Sequence, residues 1–219
     1  KIPDFERELY VLDQEINDRG ILINLILAQN AVDVDEWFSS NLTSRVIDIT
    51  GVSNPNSPAQ LKEWLQKETG DYGITSLTKD SVAQLKKMYH DNSSVVFVLS
   101  ARQKLSKSSI KKYDAMLNCA CSDNRARGLF QFHGAGTGRW AGRLIQLQNL
   151  TKNFITELDL ARNTLLAKDG DALELMYDDV SAILSQLIRT AFIPKDGFIY
   201  HVADFSGIEA RVLSWLADE

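Results

Sequence analysis

Between Asp4 and Arg19 the apolar residues Phe5, Leu9, Leu12 and Ile16 recur at steps of four, three and four. That spacing puts them on one face of an amphipathic helix, which Gly20 stops. Ser57-Pro58-Ala59-Gln60 has the form of a capping box with proline at the first helical position. Leu61, Trp64 and Leu65 follow as the buried face of a second helix, up to Gly70. Asp80 to Tyr89 repeats the pattern with Val82, Leu85, Met88 and Tyr89, and predicts a short helix. Ser94 to Cys119 reads as the longest helix, with Val95, Val98, Leu99, Leu105 and Ile110 available for a core. After Asp123 the texture changes, which marks a candidate domain boundary. Leu129 to His133 alternates apolar with polar, a glycine-rich turn follows, and residues 157–190 return to helical spacing through Val180, Ile183, Leu184, Leu187 and Ile188. Pro194 to Gly197 predicts a turn and Phe198 to Phe205 the best strand of the chain. A last helix begins near Gly207 with Ile208, Val212 and Leu216 on one face.

Composition narrows the class. A hydrophobic content of 44% in 219 residues is enough for one sizeable core or two smaller ones. No apolar run approaches the roughly 20 residues that cross a bilayer, and the first residues lack a signal-peptide apolar core, so an intracellular, soluble protein is expected. Cys119 and Cys121 are too close together for a staple across a fold and lie far from the three histidines, so both are read as reduced, with no zinc site. The net charge of −5 argues at first against a polyanionic partner. Its distribution argues otherwise. Residues 101–143 hold nine basic side chains against Asp114 and Asp123, a local +7, and leave −12 for the rest. Phosphate contacts depend on such local charge. On the Ser94–Cys119 helix, Arg102, Lys104, Ser106, Lys107, Ser109, Lys111 and Lys112 are free to face outward, mixing cations with small hydroxyls that can approach a phosphate backbone. A solvated helix face would look similar, so the decision falls to the motifs.

The most specific of these is Asp204-Phe205-Ser206-Gly207-Ile208-Glu209-Ala210-Arg211-Val212. A carboxylate ends an apolar strand, and a second lies one turn into the next helix. A strand-end aspartate suits a hard cation, which prefers fixed oxygen ligands. The second motif is Thr137-Gly138-Arg139-Trp140-Ala141-Gly142-Arg143-Leu144, followed by Gln146-Leu147-Gln148-Asn149-Leu150. Gly134, Gly136 and Gly138 alone would suggest a phosphate loop, but they lack the lysine and hydroxyl of a Walker loop and the spacing of a dinucleotide fingerprint. They fit a tight turn and a close backbone approach.

These segments resemble motif A and the Thr-Gly-Arg/Leu-Gln-Asn segment of family A DNA polymerases, the Trp-Ala-Gly-Arg form being most similar to phage and prophage enzymes. Upstream, Asp18 to Asn24, Asn54 to Leu61 and Leu99 to Tyr113 look like parts of a polymerase thumb, and Ile188 to Pro194 resembles the approach to motif A. The resemblance implies an α+β, predominantly α-helical fold: a helical thumb over 1–127 and the N-terminal part of the palm of a right-hand polymerase over 128–219. It implies template-directed nucleotidyl transfer on primer-template DNA with deoxynucleoside triphosphates and two Mg2+ ions. Asp204 would be a catalytic metal ligand, Phe205 would offer its carbonyl to the metal, and Glu209 would crowd the 2′-hydroxyl of an incoming ribose. Arg102, Lys104, Ser106, Lys107, Lys111, Lys112, Arg139, Arg143, Gln148 and Asn149 are the implied DNA contacts. Minor-groove acceptors occur on every base pair, so arginine and glutamine there can check geometry without reading sequence.

Two departures accompany the resemblance: Gly207 stands where a larger residue is usual, and residues 151–187 form an insert relative to the bacterial enzyme. The sequence ends at Glu219, before the family's fingers helix and second catalytic aspartate, so the isolated chain is expected to be inactive, with at most weak DNA binding and no stably held Mg2+. Unpaired palm strands would expose edges and leave self-association open. Phage encoding implies the cytoplasm of a bacterial host. Competing readings are a single-subunit RNA polymerase, disfavoured by Glu209 and the Thr-Gly-Arg/Gln-Asn pairing, and a non-catalytic helical DNA-binding or interaction module derived from a polymerase gene. A nuclease reading is weaker, since no second carboxylate pair of the proofreading type is found.

Overall fold

The computed structural model describes residues 3–106 and 110–218. The expected helix α1 runs over Asp4–Arg19, and Gly20 ends it with a left-handed φ of 59°. A short strand β1 (Ile21–Leu22) leads into α2 (Leu25–Thr50), 26 residues long, which the periodicity reading did not pick out. Asn24 caps α2 by accepting the Leu27 N–H at 3.0 Å, and Gly51 closes it in the left-handed region. Leu27, Ala28, Ala31, Val34, Phe38, Leu42 and Val46 form a buried stripe along it.

Helix α3 (Pro58–Thr69) begins at the expected cap, the Ser57 hydroxyl accepting the Gln60 N–H at 3.4 Å. The reciprocal half of the box is different. The Gln60 carboxamide takes the Asn54 N–H at 2.8 Å, because the Ser57 N–H already donates to the Asn54 carbonyl. Helix α4 (Lys79–Met88) follows, with Val82 and Leu85 buried and Met88 exposed. In place of one helix over Ser94–Cys119 there are two, α5 (Ser93–Leu105) and α6 (Ile110–Cys119). At the end of α5 the Ser106 hydroxyl donates to the Gln103 carbonyl at 2.9 Å, a local bond that competes with continuing the helix.

Strand β2 (Arg125–Ala126) pairs antiparallel with β1, and β3 (Phe130–Gln131) with β4 (Ala141–Gly142), Phe130 opposite Gly142. Residues 151–187, expected as an insert, hold α7 (Leu158–Leu166), α8 (Gly170–Met176) and α9 (Val180–Leu187). These helices pack around α2 together with α5 and α6. Leu165, Leu173, Leu184 and Leu187 are fully buried in the same core as Leu27, Phe38, Tyr113 and Met116. Each such side chain contributes roughly 1.5–3 kcal/mol by leaving water. Residues 151–187 therefore contribute to this core. Ala126 and Leu129 also share this core, so it runs without a break past residue 127. A smaller cluster of Leu65, Ile74, Val82, Leu85, Val95 and Leu99 lies between α3, α4 and α5.

The predominantly helical α+β class is thus observed, with only two-stranded sheets among the described residues. The strand expected over Phe198–Phe205 is not formed. Residues 198–205 are exposed and have no ladder partner among the described residues, and an unpaired strand leaves its backbone groups to water. The last helix, α10 (Ile208–Leu216), starts where expected and has no buried residue. No helix among the described residues is long and apolar enough to cross a membrane.

Candidate nucleic-acid interface

The Thr137-Gly138-Arg139 sequence forms the tip of the β3–β4 hairpin. The Gly138 N–H donates to the Ala135 carbonyl at 2.9 Å and the Ala135 N–H to the Arg139 carbonyl at 3.1 Å, a tight reversal that Gly138 permits with φ 77°. Gly134 serves differently: a side chain there would fall 2.6 Å from Ala141 Cβ. Arg139 is exposed at this tip.

Beyond β4 the chain bends sharply. Leu144 and Gln146 adopt φ of 53° and 55°, left-handed conformations that cost a non-glycine residue about 1–3 kcal/mol and persist only where surroundings dictate them. The dictating groups are visible. Lys112 of α6 donates to the Ile145 carbonyl at 2.7 Å and reaches the Gln146 side chain at 3.5 Å. On the far side, Arg189 donates to the carbonyls of Leu150 at 2.9 Å and Thr151 at 3.0 Å. Between them a short 3-10 turn, Leu147–Asn149, presents Gln148 and Asn149 to solvent. The Gln148 carboxamide lies so close to Gly142 that a Cβ there would come within 2.4 Å of it.

Arg139, Arg143, Gln148 and Asn149 are therefore exposed along one stretch, and their side chains make no hydrogen bond or ion pair among the described residues. Arg143 borders a cleft of about 360 Å³ with Tyr10, Asn17 and Arg127. The other basic residues divide. Arg102 is half-buried and Lys111 exposed, both without such partners among the described residues. Lys104 donates to the Asp178 carbonyl and sits 5.9 Å from the Phe38 ring centre, and Lys112 is tied to residues 145–146. Arg125 donates to the Arg19 and Gly20 carbonyls at 3.2 Å, and Arg127 pairs with Asp123 at 2.6 Å. That guanidinium holds the Asp123 carboxyl well below the usual carboxylate range. Much of the +7 segment is thus spent inside the molecule. Lys107 lies outside the described residues.

Asp204, Phe205 and Glu209 lie on the exposed segment 198–218. Asp204 does not end a strand. Gly207, with φ 61°, forms the turn into α10, and Arg211 donates to the Ser206 carbonyl at 2.8 Å, which gives that arginine a local role. The Asp204 carboxylate and Phe205 carbonyl are hard oxygen donors of the kind Mg2+ takes. However, no group of three or more acidic, histidine or cysteine side chains that could hold a metal occurs among the described residues. This set does not fit a pair of Mg2+ ions by itself.

Sequence reasoning missed a set of supporting residues on α1. Glu6, Tyr10, Asp13 and Asn17 follow one another at helical spacing and face the hairpin. Asp13 is 3% exposed and accepts the Trp140 indole N–H at 2.7 Å. The stripe was legible as a spacing, but it is polar, and an apolar stripe beside it drew the reading.

The described residues thus combine a helical body with an arginine-tipped hairpin, a Leu-Gln-Asn turn and an exposed Asp-Phe-Ser-Gly-Ile-Glu segment. The profile of DNA polymerase family A matches residues 36–219, and the chain belongs to that family. A DNA polymerase of Bacillus phage SP02 is 50% identical over 215 residues, covering 98% of this chain and 33% of the phage protein. The chain thus spans about a third of the length of the curated relative it matches.

Proposed function

We propose that these residues serve a DNA-directed DNA polymerase as its thumb, over 1–127, and the N-terminal part of its palm, over 128–219. The complete enzyme acts on primer-template DNA and deoxynucleoside triphosphates with Mg2+, in the cytoplasm of the phage's host. Family membership and the name of the phage relative support this reading. The observation that carries the DNA-binding part is the outward display of Arg139 and Arg143 along the hairpin and of Gln148 and Asn149 on a turn held from both sides by Lys112 and Arg189. Asp204 contributes one carboxylate to a two-metal site and Glu209 lies against the incoming sugar. One carboxylate does not complete a two-metal site, so the 219-residue chain is expected to bind DNA at most weakly and not to extend a primer. Self-association through the exposed apolar residues of 198–216 accompanies this isolation.

Binding of the chain to a fluorescent primer-template duplex across a salt series tests the proposal, with Arg139→Glu and Lys111→Glu beside it. Affinity that falls with salt, and falls further in both variants, supports the assigned surface. Charge reversals without effect overturn it. Primer extension by the unmodified chain in Mg2+ contradicts the inactivity.

A further inference from the structure

The contact between α1 and the hairpin is polar and directional, which apolar packing alone would not require. Along α1, Glu6, Tyr10, Asp13 and Asn17 meet the hairpin in order. Glu6 Oε1 stands 4.0 Å from His133 Nε2, and the Tyr10 ring meets Phe132 edge-on at 6.0 Å between centres. Asn17 binds both backbone groups of Phe130, accepting its N–H at 2.9 Å and donating to its carbonyl at 3.1 Å. Asp13 lies at the centre. Its Oδ1 accepts the Trp140 indole N–H at 2.7 Å, while Oδ2 accepts from Asn17 at 3.1 Å and Gln14 at 3.0 Å. A carboxylate this deeply buried is costly unless it is saturated with donors, and here the donors also fix where the indole lies.

Trp140 directly follows Arg139, so the residue whose indole is held has its Cα about 3.8 Å from that of the arginine at the hairpin tip. The Phe132 ring closes the other side of Trp140 at 5.6 Å. The Arg139 carbonyl is held in turn by the Ala135 N–H. Meanwhile Phe5, Leu9, Leu12 and Ile16 remain exposed, so α1 commits its polar stripe to the hairpin and not its apolar one. Hydrophobic contact tolerates sliding, whereas a saturated carboxylate does not.

We infer that Asp13 is a positioning residue for DNA binding: through its hydrogen bond to Trp140 it holds the hairpin so that Arg139 meets the duplex. This rests on the reading of Arg139 as a DNA contact. The test is a cycle of primer-template affinities measured on the chain as it stands, using Asp13→Leu, Asp13→Asn, Trp140→Phe and Arg139→Ala, with Asp13→Leu and Trp140→Phe each also combined with Arg139→Ala. Asp13→Leu is expected to weaken binding roughly tenfold, the scale of one lost charge-assisted hydrogen bond. Trp140→Phe, which keeps a ring against Phe132 but loses the donor, should follow it. Asp13→Asn, which retains an acceptor for the indole but turns an amide NH2 toward the Asn17 and Gln14 donors, should fall between the parent and Asp13→Leu. In the Arg139→Ala background Asp13→Leu should add less than about twofold. An undiminished effect there means Asp13 acts through something other than Arg139, and overturns the inference while leaving the DNA contact standing. Arg139→Ala without effect removes the DNA contact and the inference with it. Should Asp13→Leu fail to give a folded melt, the Trp140→Phe arm of the cycle decides by the same criteria.

Discussion

The Tyr113 hydroxyl on α6 donates to the Leu184 carbonyl within α9 at 2.7 Å, with the tyrosine fully buried. This bond joins the basic α6 to α9. Tyr113→Phe is expected to cost about 1 kcal/mol at neutral pH. Burial pushes the Tyr113 hydroxyl far above its ordinary value. Above pH ~10 the unfolded chain releases this proton while the folded chain keeps it, so the parent loses stability as pH rises. The gap between parent and variant therefore narrows above pH ~10, which denaturant unfolding at neutral and alkaline pH would show. A gap that widens contradicts the burial argument.

Asp35 on α2 is half-buried, and its carboxyl is raised first by that burial and further by Asp114 and Glu36, against hydrogen bonds from Ser181 and Ser39. A raised carboxyl binds its proton more tightly folded than unfolded. It therefore opposes folding at neutral pH, and the opposition fades as pH falls through the raised value toward ~4. Asp35→Asn, which keeps an acceptor for the Ser181 hydroxyl, is expected to be more stable than the parent at pH 7 and to lose that advantage on acidification. Equal pH profiles for the two proteins would refute this.

Two glycines separate binding from stability. Gly142→Ala collides with the movable end of Gln148, so it should cost about 1 kcal/mol or less while weakening duplex binding. Gly20→Ala places a Cβ 2.4 Å from the Ala126 carbonyl oxygen at φ 59° and should cost roughly 2–4 kcal/mol. Thermal melts and duplex titrations on both variants give the comparison; a large stability loss at Gly142 with intact binding reverses the assignment.

Adjacent lysines should behave differently. Lys111→Ala is expected to leave stability within about 0.5 kcal/mol and to lower the salt slope of DNA binding by about 1. Lys112→Ala removes the donor to the Ile145 carbonyl and should cost about 1–2 kcal/mol, weakening binding at every salt concentration. Matching stabilities for the two variants would mean that the Lys112 bond holds nothing in place.

Several elements were legible from local pattern. The helix over Asp4–Arg19, the Ser57 cap with Pro58, and the tight glycine-rich turn around Gly138 follow from spacing and turn chemistry, which act within a few residues. Helix α2 was not, although Asn24 and Gly51 bound it as a cap and a stop, because its buried stripe mixes alanines with large residues over 26 positions. The strand over Phe198–Phe205 shows the opposite error. Its apolar pattern is real, but a strand exists only with a partner, and none of the described residues pairs with it.

The sequence by itself determined the family, the order of its motifs and the helical class, since these depend on residue identity and short-range spacing. Only the tertiary structure decided which cations remain available and which are spent. Lys104, Lys112, Arg125 and Arg127 look equivalent to Lys111 and Arg139 along the chain, yet carbonyls distant in sequence claim them. It also decided that Asp13 of α1 carries the hairpin, because a hydrogen bond across 127 positions has no local signature. Charge and periodicity are local properties of a chain, whereas partnership is settled by the packing that brings remote segments together.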